Sequence, residues 1–422
     1  MPELTPRDLR HNLKLNCAHE FSWGFGIAFH TTYATIPFFL KQLGAPQGVV
    51  VSVAGLFSIL IAIPQLFSAV AGRNIRNVKT AVIAVHTLSW PPVFVMGFTF
   101  AFFAPTGPYA WVFYYICFIL YGLAIGLIIP IWAGFLSHVS DRKSRGSFLG
   151  VSFAFNSLGG FAGGFLVKYI LSSSIPFPNN FGLGFFIMFI AIVAGTLVFF
   201  GYRVNRQTEV FEHKSVSEFL RETREIIKTD LNFRRYLLAR IFFTANFPAM
   251  SMYAVYTKDK FGFDISEAGV FTVLNVMAFG VASYLSGKIG DRFGHKAAII
   301  LAFVAHLLAL LTALNARSMI GVYGIFIFLG FGLGAFMPAS MNLVYDFAGK
   351  RDNKTYMALV DTILAPFTFL VITFAGSISH TIQTETLFKG VGVFLVIGLL
   401  ILTFVVKDPK QHTHELPVPP TL

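Results

Sequence analysis

Few side chains in this sequence could carry charge through an apolar interior, and those few could bind or move ions. Glu20, Arg240 and Asp361 fall within long apolar runs. An ionisable group there is costly to keep, so each suggests a proton carrier or an ion-pair partner. Spans 1 and 7, the two repeat starts identified below, superpose Glu20 on Arg240 when one half is slid onto the other. The pair is expected to face one cavity and to form or break an ion pair; the plainer alternative is solvation at the water boundary. His30, His86 and His306 sit mid-run, with His30 the best placed to relay protons, since imidazole titrates near pH ~6.5. Hydrogen-bonded packing is the competing role for all three. Asn156, Asn246, Asn275, Tyr253 and Tyr256 offer neutral hydrogen bonds to a solute.

Other chemistries lack their residues. The His-Glu pairs, His19-Glu20 and His414-Glu415, have no second histidine four residues after the first, so the H-E-x-x-H metalloprotease pattern is missing. There are no paired intramembrane aspartates and no Walker A loop. Cys17 and Cys117 lie in apolar segments and read as small buried hydrophobes, and His412 and His414 are too sparse for a metal site. An enzyme, an ATP-driven pump and a cofactor or metal site are therefore not expected.

The elements that position these residues follow from composition. Of 422 residues, 55% are hydrophobic and 12% charged, and 50 are phenylalanine. A soluble domain carries about 25% charge, so this chain belongs in a bilayer. A hydrocarbon core of roughly 30 Å needs about 20 apolar residues per helix. Twelve such segments are expected, at 17–40, 49–71, 80–103, 108–136, 147–171, 183–202, 235–258, 265–286, 297–314, 319–344, 356–380 and 386–406. Their continuous apolar character, without period-2 alternation, favours helices over a barrel.

Charge then orients them. Of 32 Lys and Arg residues, 25 fall on the side of the termini and 6 on the other, with Arg240 inside a span. The positive-inside rule makes both termini cytoplasmic. The net charge of +12 is thus a topology signal, and nucleic acid is not an expected partner. The expected location is the plasma (inner) membrane. No cleavable signal peptide is visible in the polar N-terminus.

A polar linker at 203–234 divides the spans into halves, 1–202 and 235–406, followed by a tail at 407–422. Within it, SVSEFLRETREIIK has helical amphipathic spacing, with Ser215 or Ser217 as cap, and is expected on the inner membrane surface. The halves echo one another. Gly122, Gly126 and Pro130 recur as Gly330, Gly334 and Pro338, all three at one common offset. Glycines four apart share a helix face and admit a close neighbour, and proline bends the helix.

The connector Gly287–Lys296 reads GKIGDRFGHK. It resembles the loop signature of the major facilitator superfamily, G-x-L-x-D-R-x-G-R-K, at Gly287, Asp291, Arg292, Gly294 and Lys296. Ile289 replaces Leu and His295 replaces Arg. The corresponding first-half loop, AGRNIRNVKTAVI, keeps the glycine and basic residues, is two residues shorter and has no aspartate. Span 5 contains NSLGGFAGGFL, a faint echo of the family's antiporter motif with Gly160 in place of proline; close helix packing is the alternative. The resemblance implies an all-α membrane protein, with twelve transmembrane helices in two six-helix bundles related by a pseudo-two-fold axis. It implies alternating access around a central site, with Asp291 latching the inner gate against span 11. The expected activity is secondary-active transport of a small molecule, coupled to protons through Asp361 or Glu20. Export of amphipathic compounds leads uptake by symport or uniport, and a non-transporting sensor of the same fold is the other alternative. A single chain is expected to suffice as a monomer.

Overall fold

The structure, a computed structural model, describes residues 4–71, 77–140, 145–204, 216–349 and 353–409. These residues are almost entirely helical, with no strand among them. In the first half lie α1 (Pro6–Ile27), α2 (Thr35–Gln42), α3 (Gln47–Ala71), α4 (Val78–Thr87) and α5 (Trp90–Phe98). They are followed by α6 (Ala110–Val139), α7 (Arg145–Leu171) and α8 (Asn179–Leu197). The amphipathic stretch forms α9 (Val216–Thr229); Ser215 and the side chain of Ser217 lie outside the described residues. The second half holds α10 (Leu231–Phe243), α11 (Asn246–Phe261), α12 (Glu267–Phe293) and α13 (His295–Asn315). It ends with α14 (Met319–Ala348), α15 (Asn353–Ile378) and α16 (Thr384–Leu400).

Ten spans among the described residues are long and apolar enough to cross a membrane unaided. The remaining two of the twelve, spans 1 and 7, are each broken into two helices, α1/α2 and α10/α11; span 3 is likewise divided, into α4 and α5. A proline follows each break. A proline ring clashes with the carbonyl four residues earlier and supplies no N–H to it. Pro248 sets that defect at Thr244, where α10 stops, and Pro37 sets it at Tyr33, inside the stretch that separates α1 from α2. Thr31 eases the first break, its Oγ1 accepting from the Thr35 N–H at 3.0 Å. Pro130 and Pro338, by contrast, lie inside the unbroken helices α6 and α14.

The duplication seen in sequence extends to the helix ends. Asn12 donates to the Arg203 carbonyl at 2.7 Å and accepts from the Arg203 N–H at 2.9 Å. Asn232 occupies the matching position under the offset that superposes Glu20 on Arg240. It makes the same two bonds to Lys407, both at 2.8 Å. Each asparagine ties the first helix of its half to the end of the sixth. A second clamp is also repeated. Lys79 donates to the Phe200 and Tyr202 carbonyls at 2.6 and 3.1 Å, and Lys296 to those of Thr403 and Val406 at 2.9 and 2.6 Å. The last carbonyls of a helix have no partner within it and carry negative partial charge, so a lysine suits them.

GKIGDRFGHK is therefore not the loop that its charge suggested. α12 runs through it to Phe293, with Gly287 inside the helix, and only Gly294 breaks the ladder, at φ +87°. That conformation is open chiefly to glycine. Gly294 also lies against the Asp408 carboxylate, which a Cβ would meet at 2.0 Å.

The two halves meet along α3/α15 and α7/α12, on the side away from the termini. A Cβ on Gly48 would lie 3.1 Å from the Gly376 carbonyl oxygen, and one on Gly269 would lie 2.4 Å from that of Gly164. The Ala54 N–H donates to Ser251 Oγ across the same boundary at 2.9 Å. Lys168 pairs with Glu267 at 3.1 Å, and Lys41 pairs with Asp259.

Asn12 is fully buried, whereas Asn232 is partly exposed. Leaving buried backbone groups unpaired costs about 1–3 kcal/mol. Asn12→Ala should lower the unfolding temperature in detergent more than Asn232→Ala does. Equal, negligible shifts would show that the clamps are dispensable.

Candidate functional site

A cavity of about 420 Å³ lies between the halves. Its wall is mostly first-half residues from α1, the break after it, α6 and α7; α12 and α14 close the other side. The sequence-derived candidates Glu20, His30, Asn156 and Asn275 all line it. Glu20 is 4% exposed and accepts from Asn156 Nδ2 at 3.0 Å. His30 is bonded to the Tyr114 hydroxyl at 2.9 Å and packed among Phe118, Tyr121 and Phe185, so it braces the wall. Asn275 reaches the Phe326 carbonyl at 3.4 Å, and its own backbone passes under Gly330.

The other candidates stand elsewhere. Arg240 donates to the Tyr236 hydroxyl at 2.9 Å, lies 4.4 Å from the Phe336 ring centre, and exerts its charge on Asp361. Glu20 and Arg240 thus have separate partners in this structure, and neither Arg240 nor Asp361 lines the cavity. Asn246 is bonded to His306 Nδ1 at 2.8 Å, with both side chains buried. Tyr253 is buried against Phe388, and Tyr256 donates to Glu385 at 2.9 Å. Asp291 and Arg292 are exposed at the end of α12, and residues 350–352, which precede span 11, lie outside the described residues.

Sequence reasoning missed the aromatic wall. Trp23, one helical turn after Glu20 on α1, packs on His86 of α4, its ring centre 5.6 Å from the imidazole. The second half repeats this contact with Phe243 and His306 at 5.1 Å, at the same offset that relates Glu20 to Arg240. That offset, applied to Glu20 and Arg240 but not to their neighbours, was the available signal. The indole N–H groups of Trp23 and Trp132, both on the cavity wall, find no acceptor among the described residues. His19 and His86 also line it, each donating Nδ1–H to a backbone carbonyl, of Gly195 at 2.9 Å and Val82 at 2.6 Å.

The glycines of span 5 serve two faces. Gly159 and Gly163 lie against the α1 backbone, where a Cβ would meet Phe21 and Phe25 oxygens at 2.1 and 2.5 Å. Gly160 and Gly164 face Val276 and Val273 of α12. The repeated Gly330 and Gly334 likewise press on α12, with Cβ positions 2.1 and 2.2 Å from the Asn275 and Phe279 oxygens. Gly122 and Gly126 face Leu60 and Ile61 of α3.

A broken-helix pair, duplicated halves and a cavity between them describe a known architecture. The family model of the Major Facilitator Superfamily matches residues 21–257 and 236–420. The chain belongs to the major facilitator superfamily. Solved structures of this superfamily's transporter fold agree over nearly the whole chain. A mutant of the nucleoside transporter NupG is 12% identical with a TM-score of 0.69, covering 94% of this chain and 100% of that one. A POT family transporter in complex with a thioalcohol-conjugated peptide is 15% identical, TM-score 0.67, covering 95% and 96%. A bacterial homologue of the human lysosomal transporter Spinster, inward-facing and unoccupied, is 13% identical, TM-score 0.63, covering 97% and 98%. Comparison with curated proteins by sequence finds no match. This member of the superfamily is an integral membrane transporter with a nearly all-helical fold.

The buried Asn246–His306 pair separates packing from transport. Asn246→Ala should lower unfolding stability by about 1–3 kcal/mol while leaving ligand affinity at the cavity unchanged. A large affinity loss at unchanged stability would move this pair into the site.

Proposed function

We propose that this protein is a secondary-active transporter that carries a small molecule by alternating access and couples it to protons through Glu20. The observation that supports this most is the placement of one buried carboxylate on the wall of a cavity between two glycine-fitted bundles. The bundles are pressed together on the face away from the termini, by Gly48–Gly376, Gly164–Gly269 and the Lys168–Glu267 pair. With the termini cytoplasmic, as the excess of Lys and Arg indicates, this is the inward-facing arrangement. The inner membrane is the proposed location and a single chain the working unit.

Coupling is assigned to Glu20 rather than Asp361, because only Glu20 lines the cavity. Asp361 lies on α15, away from the cavity wall. In the outward-facing arrangement Glu20 and Arg240 approach each other, and Asp291 latches the inner face against span 11. Export of amphipathic compounds is the proposed direction. The glycines of span 5 are accounted for by packing, so the amphipathic class of solute rests on the apolar, aromatic wall.

Two measurements test the cycle. Purified protein in liposomes with a trapped pH dye should show substrate-dependent proton movement, lost in Glu20→Gln; proton movement intact in that variant would remove Glu20 from coupling. In a background with Cys17 and Cys117 replaced by serine, oxidation of the Ala54→Cys/Ser251→Cys pair should stop flux and reduction should restore it. Undiminished flux in fully cross-linked protein would rule out opening of this face.

A further inference from the structure

Glu20 faces the cavity without a cation. Its described side-chain partner is the neutral amide of Asn156, and among the described residues no lysine or arginine lines the cavity. Arg240 is held by Tyr236 and Phe336 instead. A carboxylate removed from water and left without a counter-charge is destabilised by several kcal/mol. A cation that enters the cavity relieves that cost, whereas an anion adds to it.

The rest of the wall suits the body of such a cation. Trp23, Phe57, Tyr121, Trp132 and Phe279 present aromatic surface, and a cation over an aromatic face is attracted by the ring quadrupole. His19 and His86 use their Nδ1–H groups on backbone carbonyls, so each neutral ring keeps Nε2 as an acceptor. The volume falls in the range that encloses a small organic ligand.

We propose that the cavity binds monovalent organic cations with an aromatic body, their charge held by Glu20. This deepens the transport reading by naming the substrate class for its site. Proton and cation then exclude each other at one carboxylate, which makes the coupling an exchange.

The test is binding of three probes of similar shape to the purified full-length protein, read by fluorescence polarisation. They are a styrylpyridinium monocation, an uncharged dimethylaminostilbene and a stilbene sulfonate. The cation should bind at least about ten-fold more tightly than the neutral stilbene, a difference of about 1.4 kcal/mol, and the sulfonate should show no saturable binding. Glu20→Gln should erase the preference of cation over neutral probe. Equal affinity for cation and neutral probe, saturable sulfonate binding, no saturable cation binding, or a preference that survives Glu20→Gln would each overturn the assignment. Should that variant fail to fold, carbodiimide labelling of Glu20 in the unaltered protein gives the same reading. Protection by the cation alone supports the proposal, and equal labelling with all three probes refutes it. Cation binding without liposome flux would keep the assignment and remove the transport cycle; flux of another solute without cation binding would do the reverse.

Discussion

Each half of this protein is closed by an asparagine that pairs with the backbone at the end of its sixth helix. The constraint behind it is general. The last carbonyls of a helix have no partner within it, and a side chain from a neighbouring helix can supply one. Asn12 and Asn232, with Lys79 and Lys296, do this at matching places in the two halves. The first, third and sixth helices of a half are thereby fastened to one another at one end.

Between those bodies the contacts are of another kind. Backbones approach at Gly48–Gly376, where a side chain would be tight, and at Gly164–Gly269, where one would not fit, and two ion pairs sit nearby. Such an interface holds by shape, through contacts separate from the clamps inside either half. Spans 1 and 7 are broken between α1 and α2 and between α10 and α11. The first contributes Thr31, Thr32 and Tyr33 to the cavity, so the defect that interrupts the helix also brings polar groups to the site.

The halves share a scaffold but not a chemistry. Positions related by one common offset hold Glu20 and Arg240, Trp23 and Phe243, His86 and His306. In the first half the three side chains line the cavity. In the second, Phe243 and His306 are core, with Asn246 bonded to the imidazole. The frame is repeated, while the charged position differs: a carboxylate on the cavity wall in one half and a guanidinium away from it in the other.

The signature segment shows how far the sequence could be read. Its residues identified the family, and its lysine had a visible counterpart at Lys79. Its helical course to Phe293 was not visible, because charge marks the membrane boundary and not the end of a helix. The twelve spans, their division by the linker and the internal repeat were legible from apolar runs, charge distribution and spacing. The sequence alone also confined ionisable groups to a few intramembrane positions, since hydrocarbon tolerates few. Only the tertiary structure decided which of them share a cavity. Facing between helices depends on rotation and close packing, which are set by distant glycines and helix-end clamps. That is why Glu20 and Asn156, far apart in the chain, meet on the wall, while Arg240 and Asp361 lie outside it.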